Sequence, residues 1–249
     1  MNAPLPTRAQ EAWRYADLEA LKSVWDHFGE PTIVEVGAGR THEQVWLPTG
    51  DDVQVRRLCI ELEAGARMRL FALNFAPVYG RTEVIVHMRE GAEFDLFVAN
   101  IGGGNSNNEV VTNVRHLEPS GRSRQTVRSV LGGKAIGSYL GKVEVARDAQ
   151  KTDGEQSIKA MLLDRGATAN AKPELEIYAD DVKCAHGATV GELDKDQLFY
   201  AMSRGMDPAS AKALLLEGFV TGLWEGITDD AKREAIASAA RAALRSVTR

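Results

Sequence analysis

Residues 84–98 read VIVHMREGAEFDLFV, which is an apolar run, the pair Gly91-Ala92 and a second run in which Phe94, Leu96 and Val98 alternate with other residues. Alternation with period two is typical of a β-strand with one buried face, and glycine marks the turn between two such runs. The stretch therefore predicts two strands joined by a tight turn.

The same texture extends from Ile33 to about Val190, where long helical periods are absent; further strand-like runs are 53–55, 58–62 and 175–177. Gly-Ala pairs that follow such runs begin at positions 65, 91, 166 and 187, with spacings of 26, 75 and 21 residues. Because 75 is close to three of the shorter spacings, the pairs fit equivalent turns of a solenoid with coils of about 20 to 26 residues. The pattern favours a β-helix over a β-sandwich without excluding the sandwich.

Both ends of the chain have helical patterns instead. Between Thr7 and Phe28 apolar residues recur at three- and four-residue steps, which predicts a helix capped by Thr7 and ended near Gly29 and Pro31. Its apolar positions are Trp13, Ala16, Ala20, Val24 and Phe28.

Residues from Asp194 to Arg249 predict two further helices. The first has Asp207 as N-cap and Pro208 at its first position, and its buried face is Leu216, Phe219, Val220 and Leu223. The second begins near Thr228, with Ile236, Ala240, Ala243 and Leu244 inward and Arg233, Arg241, Arg245 and Arg249 on another face. The predicted organisation is a helical segment at 1–30, a β-helix core at 31–191 and a helical segment at 192–249.

Composition excludes several function classes. The chain has 249 residues and a net charge of −5, from 30 Lys plus Arg against 35 Asp plus Glu, which argues against a nucleic-acid partner. No apolar run approaches the roughly 18 to 20 residues that span a bilayer, and Met1–Gln10 lacks a hydrophobic export segment. We therefore expect a cytoplasmic protein without a membrane partner, whose two cysteines, Cys59 and Cys184, are reduced.

Glycine-rich and acidic stretches supply no recognisable active site. Residues 131–135 and 137–142 do not satisfy the spacing of a phosphate-binding loop, so no ATP site is predicted. Residues 102–108, GGGNSNN, are interpreted as a flexible loop without chemistry, and Asp180-Asp181 as a turn or a solvated face. No Gly-x-Ser-x-Gly elbow is present, so nucleophilic hydrolysis gains no support.

Metal ligands are scattered, and only Cys184-Ala185-His186 brings two of them close together. On an extended segment Cys184 and His186 share a face with Val182 and Ala188. Two interpretations stay open: a packed thiol beside a hydrogen-bonded core histidine, or half of a metal site that a partner completes. Cys59 lies on the face opposite to Leu58, Ile60 and Leu62 with nothing ligand-like adjoining it, and is interpreted as structural.

A β-helix enzyme is the alternative from another function class. A polysaccharide lyase requires carboxylates and basic residues clustered on successive coils, and an acyltransferase of the hexapeptide type requires a sustained six-residue repeat. Neither feature is visible in the sequence.

Residues 173–191, PELEIYADDVKCAHGATVG, closely resemble the signature of the SufB/SufD family of iron–sulfur cluster assembly proteins. The resemblance continues at 196–200 (DQLFY), 203–205 (SRG), 149–153 (AQKTD), 162–163 (LL) and 13–18 (WRYADL). It implies a mainly β fold, a right-handed parallel β-helix flanked by helical segments. It also implies a non-enzymatic scaffold subunit that joins a SufB-type subunit and a SufC-type ABC ATPase to build nascent clusters, with ATP hydrolysis in the partner.

Two departures from SufB-type members make the SufD branch the better match. SufB-type members place a cysteine shortly before the Leu-Leu pair, where this chain reads QSIKAM at 156–161, and tend to carry glutamate where this chain has Gly187. The missing thiol argues against a SufB-like scaffold that ligates a cluster in a homodimer.

The resemblance also assigns site residues. It implies that His186 faces the SufB-type partner and takes part, with a thiolate from across the interface, in holding a transient iron–sulfur cluster. Cys184 belongs to the same motif and either ligates iron or packs. The region that docks the ATPase would contain Phe199, Tyr200, Arg204, Leu215 and Phe219, although simple helix packing would use the phenylalanines identically. We expect no cofactor held stably by this chain alone, and a possible homodimer when it is isolated.

Overall fold

The computed structural model describes residues 4–26 and 30–248. Within them the chain forms twelve strands: β1 Thr32–Val36, β2 Thr41–Trp46, β3 Val53–Leu62, β4 Arg67–Asn74, β5 Tyr79–Met88, β6 Glu93–Gly102, β7 Asn107–His116, β8 Arg122–Leu131, β9 Ile136–Val145, β10 Asp153–Leu162, β11 Thr168–Ile177 and β12 Lys183–Glu192. The helices are α1 Leu18–Trp25, α2 Lys195–Ser203, α3 Pro208–Thr221 and α4 Asp230–Val247, with 3₁₀ turns at Glu11–Trp13 and Gly222–Trp224.

The strands form a solenoid of two parallel sheets. Sheet A contains the odd-numbered strands in the order β1-β3-β5-β7-β9-β11, and sheet B the even-numbered strands in the order β2-β4-β6-β8-β10-β12. Each coil therefore contributes one strand to each sheet, and about six coils stack along the axis. The predicted mainly β, parallel β-helix with helical ends is confirmed.

Residues 84–98 show why the chain winds in this way. Phe94, Leu96 and Val98 of β6 are fully buried between the sheets, as are Val84 and Val86 of β5. Gly91 has a φ of +62°, a backbone conformation that favours glycine, and lies in the turn between the two strands. The predicted pair of strands and its turn are confirmed.

The predicted coil length is wrong for most of the solenoid. Thr32 is aligned with Leu58, 26 positions later, but Tyr79 is aligned with Asn107 and Ile136 with Thr168, spacings of 28 and 32. Strand register is kept while the connecting turns lengthen, since turns at the surface accept insertions.

The Gly-Ala markers are not all equivalent. The pairs at 65 and 91 follow strands of sheet A at matching turns, whereas the pair at 166 follows β10 of sheet B and the pair at 187 lies inside β12. The prediction of a loop over residues 102–108 is wrong at its C-terminal end, because β7 already begins at Asn107. Asn108 is a buried residue of β7 whose side-chain amide donates to the Ile101 carbonyl at 2.9 Å. Asp180 and Asp181 lie in the predicted bend between β11 and β12.

The N-terminal helix is shorter than predicted. α1 begins at Leu18 rather than after Thr7, because the Asp17 carboxylate accepts hydrogen bonds from the backbone N–H groups of Glu19 and Ala20 and caps the helix there. The apolar residues form a cluster with Tyr79 on the outer face of sheet A, although Trp13 and Ala16 do so from outside α1. Phe28 and Gly29 lie outside the described residues.

The two C-terminal helices that the sequence patterns predict both form, and α2 precedes them as a third helix that no pattern singled out. Asp207 caps α3 with Pro208 at its first position, and α4 begins after Asp229. Leu216, Val220, Leu223, Ile236, Ala240, Ala243 and Leu244 are buried, and Phe219 is half-buried. They cover outer-face side chains of sheet B: Phe71, Leu73, Ala99, Ile101 and Val130. Arg249 lies outside the described residues. Among the helices of residues 4–26 and 30–248, none has the length and apolar character to cross a membrane.

Candidate functional site

The last coil of the solenoid, formed by β11 and β12, has one open side. β12 is the terminal strand of sheet B and pairs with β10 alone. Nine of its ten residues are exposed, and Cys184 is half-buried. Along the described part of the chain nothing pairs with the outer edge of β12, which leaves its backbone groups available to a partner strand.

Cys184 and His186 both point toward the solenoid axis at this open end. Cys184 is aligned with Gly154 of β10, and His186 with Gln156, whose side chain is buried in the interior. Aligned residues of neighbouring parallel strands project to the same face, so both side chains lie on the inward face of the last coil. The predicted shared face is confirmed, but His186 is exposed, so the interpretation as a buried core histidine is wrong.

The two side chains of this motif have different surroundings. The Cys184 thiol packs against the core cluster, and a Cβ atom on Gly154 would lie 3.4 Å from its Sγ atom. Burial raises the pKa of Cys184, the Asp153 carboxylate raises it further, and the backbone N–H of Gly154 opposes them. Cys184 is therefore held mainly as a neutral thiol near neutral pH, whereas the imidazole of His186 is open to solvent.

Helix α2 follows directly after β12 and presents aromatic side chains to solvent. The Asp194 carboxylate accepts from the N–H groups of Asp196 and Gln197 and starts the helix close to the open end. Phe199 is 72% exposed and Tyr200 60% exposed. The Arg204 guanidinium donates to the Tyr200 hydroxyl at 3.1 Å and lies 5.1 Å from its ring centroid.

The other two residues of the predicted docking region are less accessible. Leu215 and Phe219 of α3 are half-buried, and Phe219 packs against the cluster that joins the C-terminal helices to sheet B. The two phenylalanines are therefore used differently, because Phe219 packs within the molecule and Phe199 does not.

Exposed apolar side chains concentrate in this part of the molecule. Of the eleven large apolar residues that are exposed among the described residues, seven lie between positions 177 and 214. The family resemblance singled out two of these, Phe199 and Tyr200; the others are Ile177, Tyr178, Val190, Met202 and Leu214. Exposed apolar groups concentrated in one part of a chain are typical of an interaction surface.

Comparison with known proteins identifies the family. A family model described as "SUF system FeS cluster assembly, SufBD core domain" matches residues 31–219. The chain belongs to the SufB/SufD family of iron–sulfur cluster assembly proteins. Within the family it is most like SufD, being 39% identical over 114 residues to the iron–sulfur cluster assembly protein SufD of Escherichia coli.

Two other relatives support the same assignment. A SufBD family protein of Synechocystis is 31% identical over 180 residues, which is 72% of this chain, and the chloroplastic protein ABCI7 of Arabidopsis thaliana is 43% identical over 104 residues, or 41% of it. The E. coli match covers 46% of this chain. The matched regions are 27%, 40% and 22% of the E. coli, Synechocystis and Arabidopsis proteins.

The structure contains one cluster of metal-ligand-type side chains that the sequence analysis did not predict. Cys59 has Glu61 and His87 beside it, and their ligand atoms all lie within 4.8 Å of one another. The prediction that nothing ligand-like adjoins Cys59 is therefore wrong. The signal was present in the coil spacing, since His87 follows Glu61 by 26 residues, the spacing of the first two Gly-Ala pairs.

Proposed function

We propose that this chain is a non-catalytic scaffold subunit of a cytoplasmic iron–sulfur cluster assembly complex. It pairs through β12 with a SufB-type subunit and through α2 and α3 with a SufC-type ABC ATPase. The observation that carries the proposal is the open last coil, where a free strand edge, a solvent-facing histidine and exposed aromatic residues lie side by side.

The free edge of β12 supports strand pairing with the SufB-type partner. The Lys183 N–H donates to the carbonyl of Thr152, the residue just before β10, at 2.8 Å. Because alternate residues of a strand direct their backbone groups to opposite sides, the N–H and C=O groups of Cys184, His186 and Ala188 face the free edge. A second copy of the chain could pair at the same edge, which would give the homodimer expected of the isolated subunit.

His186 supplies a ligand to the cluster, which is cargo of the complex and not a resident cofactor of this chain. An imidazole nitrogen suits iron, and a thiolate from the partner completes a mixed nitrogen and sulfur donor set. The half-buried thiol of Cys184 is a poorer ligand until it loses its proton, since the thiolate is the form that binds metal.

The exposed ring surface of α2 supports docking of the ATPase. Aromatic and arginine side chains provide most of the binding free energy in many protein interfaces, and Phe199, Tyr200 and Arg204 form such a group. Deleting the helices would uncover the outer face of sheet B, so point substitutions on α2 are the cleaner test.

The decisive experiment is size-exclusion chromatography with light scattering of micromolar mixtures with the SufB-type and SufC-type subunits of the same source. The unaltered chain should give a ternary peak. Ala188→Pro, which removes a backbone N–H at the free edge, should lose the SufB-type subunit and keep the ATPase. Phe199→Ser with Tyr200→Ser should do the reverse.

A matched control uses an exposed apolar residue elsewhere. Ile33 on β1 is 65% exposed, and Ile33→Ser should assemble normally. Three separate peaks from the unaltered chain, or normal assembly of both variants, would overturn the proposed interfaces.

The role of His186 needs its own measurement on the assembled complex. His186→Ala should leave the ternary peak intact and lower the yield of reconstituted cluster about tenfold or more, because a metal ligand is lost. The yield is followed by the visible absorbance of the iron–sulfur chromophore. An unchanged yield would remove His186 from the site.

A further inference from the structure

Three ligand-type side chains converge on the outer face of sheet A, away from the last coil. Cys59 and Glu61 are two residues apart on β3 and so project to the same side, and His87 of β5 is aligned with Glu61. Strands β7 and β9 separate β5 from the terminal strand β11. The cluster is therefore independent of the motif around His186 and of the proposed function.

The distances between the ligand atoms are close to those of a tetrahedral metal site. His87 Nδ1 lies 2.6 Å from Glu61 Oε1, and Cys59 Sγ lies 3.8 Å from the same oxygen. With bonds of about 2.0 Å to nitrogen and oxygen and about 2.3 Å to sulfur, a tetrahedral ion separates its ligand atoms by about 3.3 to 3.5 Å. A bound ion would replace the hydrogen bond between His87 and Glu61, widening that pair by about 0.7 Å and closing the Cys59–Glu61 pair by about 0.3 Å.

The surroundings leave room for an ion and supply little competing positive charge. The side chains of His87 and Glu61 are 25% and 34% exposed, so the cluster is reachable from solvent but partly desolvated. Glu35 of β1 is aligned with Glu61 on the other side and is exposed. Arg115 of β7 is aligned with His87, and its guanidinium lies 3.3 Å from the Glu144 carboxylate.

We propose that Cys59, Glu61 and His87 form a site for a divalent cation of borderline softness, with Zn²⁺ as the best match. One thiolate, one imidazole and one carboxylate are a donor set typical of Zn²⁺, and the fourth position is filled by water or by the carboxylate of Glu35. The ion bridges β3 and β5 on the outer face of the solenoid.

The test is a titration of the full chain with Co²⁺ under reducing, metal-free conditions. Co²⁺ reports on the ligands because a thiolate bound to it gives a near-ultraviolet charge-transfer band and tetrahedral geometry gives intense visible bands. We expect one equivalent of Co²⁺ to produce both features, and Zn²⁺ to abolish them by displacement. Absence of the charge-transfer band would overturn the proposal.

The chain provides a matched control, because its only other thiol is Cys184. Cys59→Ser should abolish the charge-transfer band, and Cys184→Ser should retain it. His87→Gln should weaken Co²⁺ binding about tenfold or more while the circular dichroism stays that of the unaltered chain. A band that persists in Cys59→Ser or disappears in Cys184→Ser would place the metal at the last coil and overturn the assignment.

Discussion

Strands β10 and β12 carry the same alternating pattern with opposite burial. The inward residues of β10, which are Gly154, Gln156, Ile158 and Ala160, are buried, whereas the aligned residues of β12 are half-buried at Cys184 and exposed at His186, Ala188 and Val190. β10 lies between two strands of its sheet and β12 beside only one. Burial in a solenoid is therefore set by the neighbouring coil as much as by the residue. The last coil retains an inward face that a partner can cover.

Removal of a positive charge should give the largest difference in unfolding free energy between the inner coils and the last coil. Arg81 of β5 is fully buried, with its guanidinium 2.6 Å from Glu83, 2.8 Å from Glu109 and 3.8 Å from the ring centroid of Trp13. Arg81→Ala leaves the fully buried Glu109 carboxylate without its cation, whereas Glu83 keeps Arg57 as a partner, and should lower the free energy of unfolding by about 3 to 5 kcal/mol. Urea unfolding followed by circular dichroism measures the change.

The control for Arg81 is a lysine on the last coil. Lys183 of β12 is exposed, and Lys183→Ala should change the free energy of unfolding by less than about 0.5 kcal/mol. Equal effects of the two substitutions would contradict the contrast between the inner coils and the last one.

The second-largest difference in stability between the inner coils and the last coil should come from adding a methyl group to a glycine. A Cβ atom on Gly141 of β9 would lie 2.1 Å from the hydroxyl oxygen of the buried Tyr139 and 2.3 Å from Gln156 Oε1, whereas one on Gly187 of β12 would meet nothing within 4 Å. Gly141→Ala should cost about 3 kcal/mol through overpacking, and Gly187→Ala should be neutral to within about 0.5 kcal/mol. Thermal melting of both variants measures this, and a melting temperature of Gly141→Ala equal to that of the unaltered chain would refute the steric account.

Sequence patterns predicted the strands and helices of this fold better than the number of residues in each coil. Period-two alternation identified β6, because its inward residues Phe94 and Leu96 are apolar and buried while the outward Glu93 and Asp95 that alternate with them are charged. It could not give the coil length, since turns vary from coil to coil. Alternation alone could not place His87 beside Glu61, because that contact depends on the 26-residue register between β3 and β5, which only the spacing of the first two Gly-Ala pairs indicates. The exposure of His186 was equally hidden, because it depends on β12 being the last strand.

Acidification should weaken the inner coils through a buried histidine. Burial lowers the pKa of His116 from 6.5 to about 4 against an opposing effect of Asp153, and its Nε2 lies 2.9 Å from the Ser123 hydroxyl. Between these pKa values the unfolded chain binds a proton that the folded chain does not, so stability is lost as the pH falls below about 6.5. At pH 5 the loss relative to pH 7 is about 2 kcal/mol.

The measurement is urea unfolding of the unaltered chain and of His116→Gln at pH 7 and pH 5. Other groups titrate in both proteins, so the difference between their pH dependences isolates His116. We expect the variant to lose less stability on acidification. An identical loss in both proteins would show that His116 is not the group responsible.

The smallest difference in unfolding free energy is expected for valine-to-alanine substitutions, made once inside the solenoid and once at its end. Val127 of β8 is fully buried and Val190 of β12 is 50% exposed. Val127→Ala removes two buried methyl groups and should cost about 1.5 kcal/mol, at about 0.8 kcal/mol for each group, whereas Val190→Ala should cost less than about 0.5 kcal/mol. If a SufB-type partner covers β12 as proposed, Val190 becomes an inner residue in its turn. The unfolding cost of Val190→Ala should then rise in the complex toward that of Val127→Ala, and a cost that stays small in the complex would show that the partner does not complete the last coil.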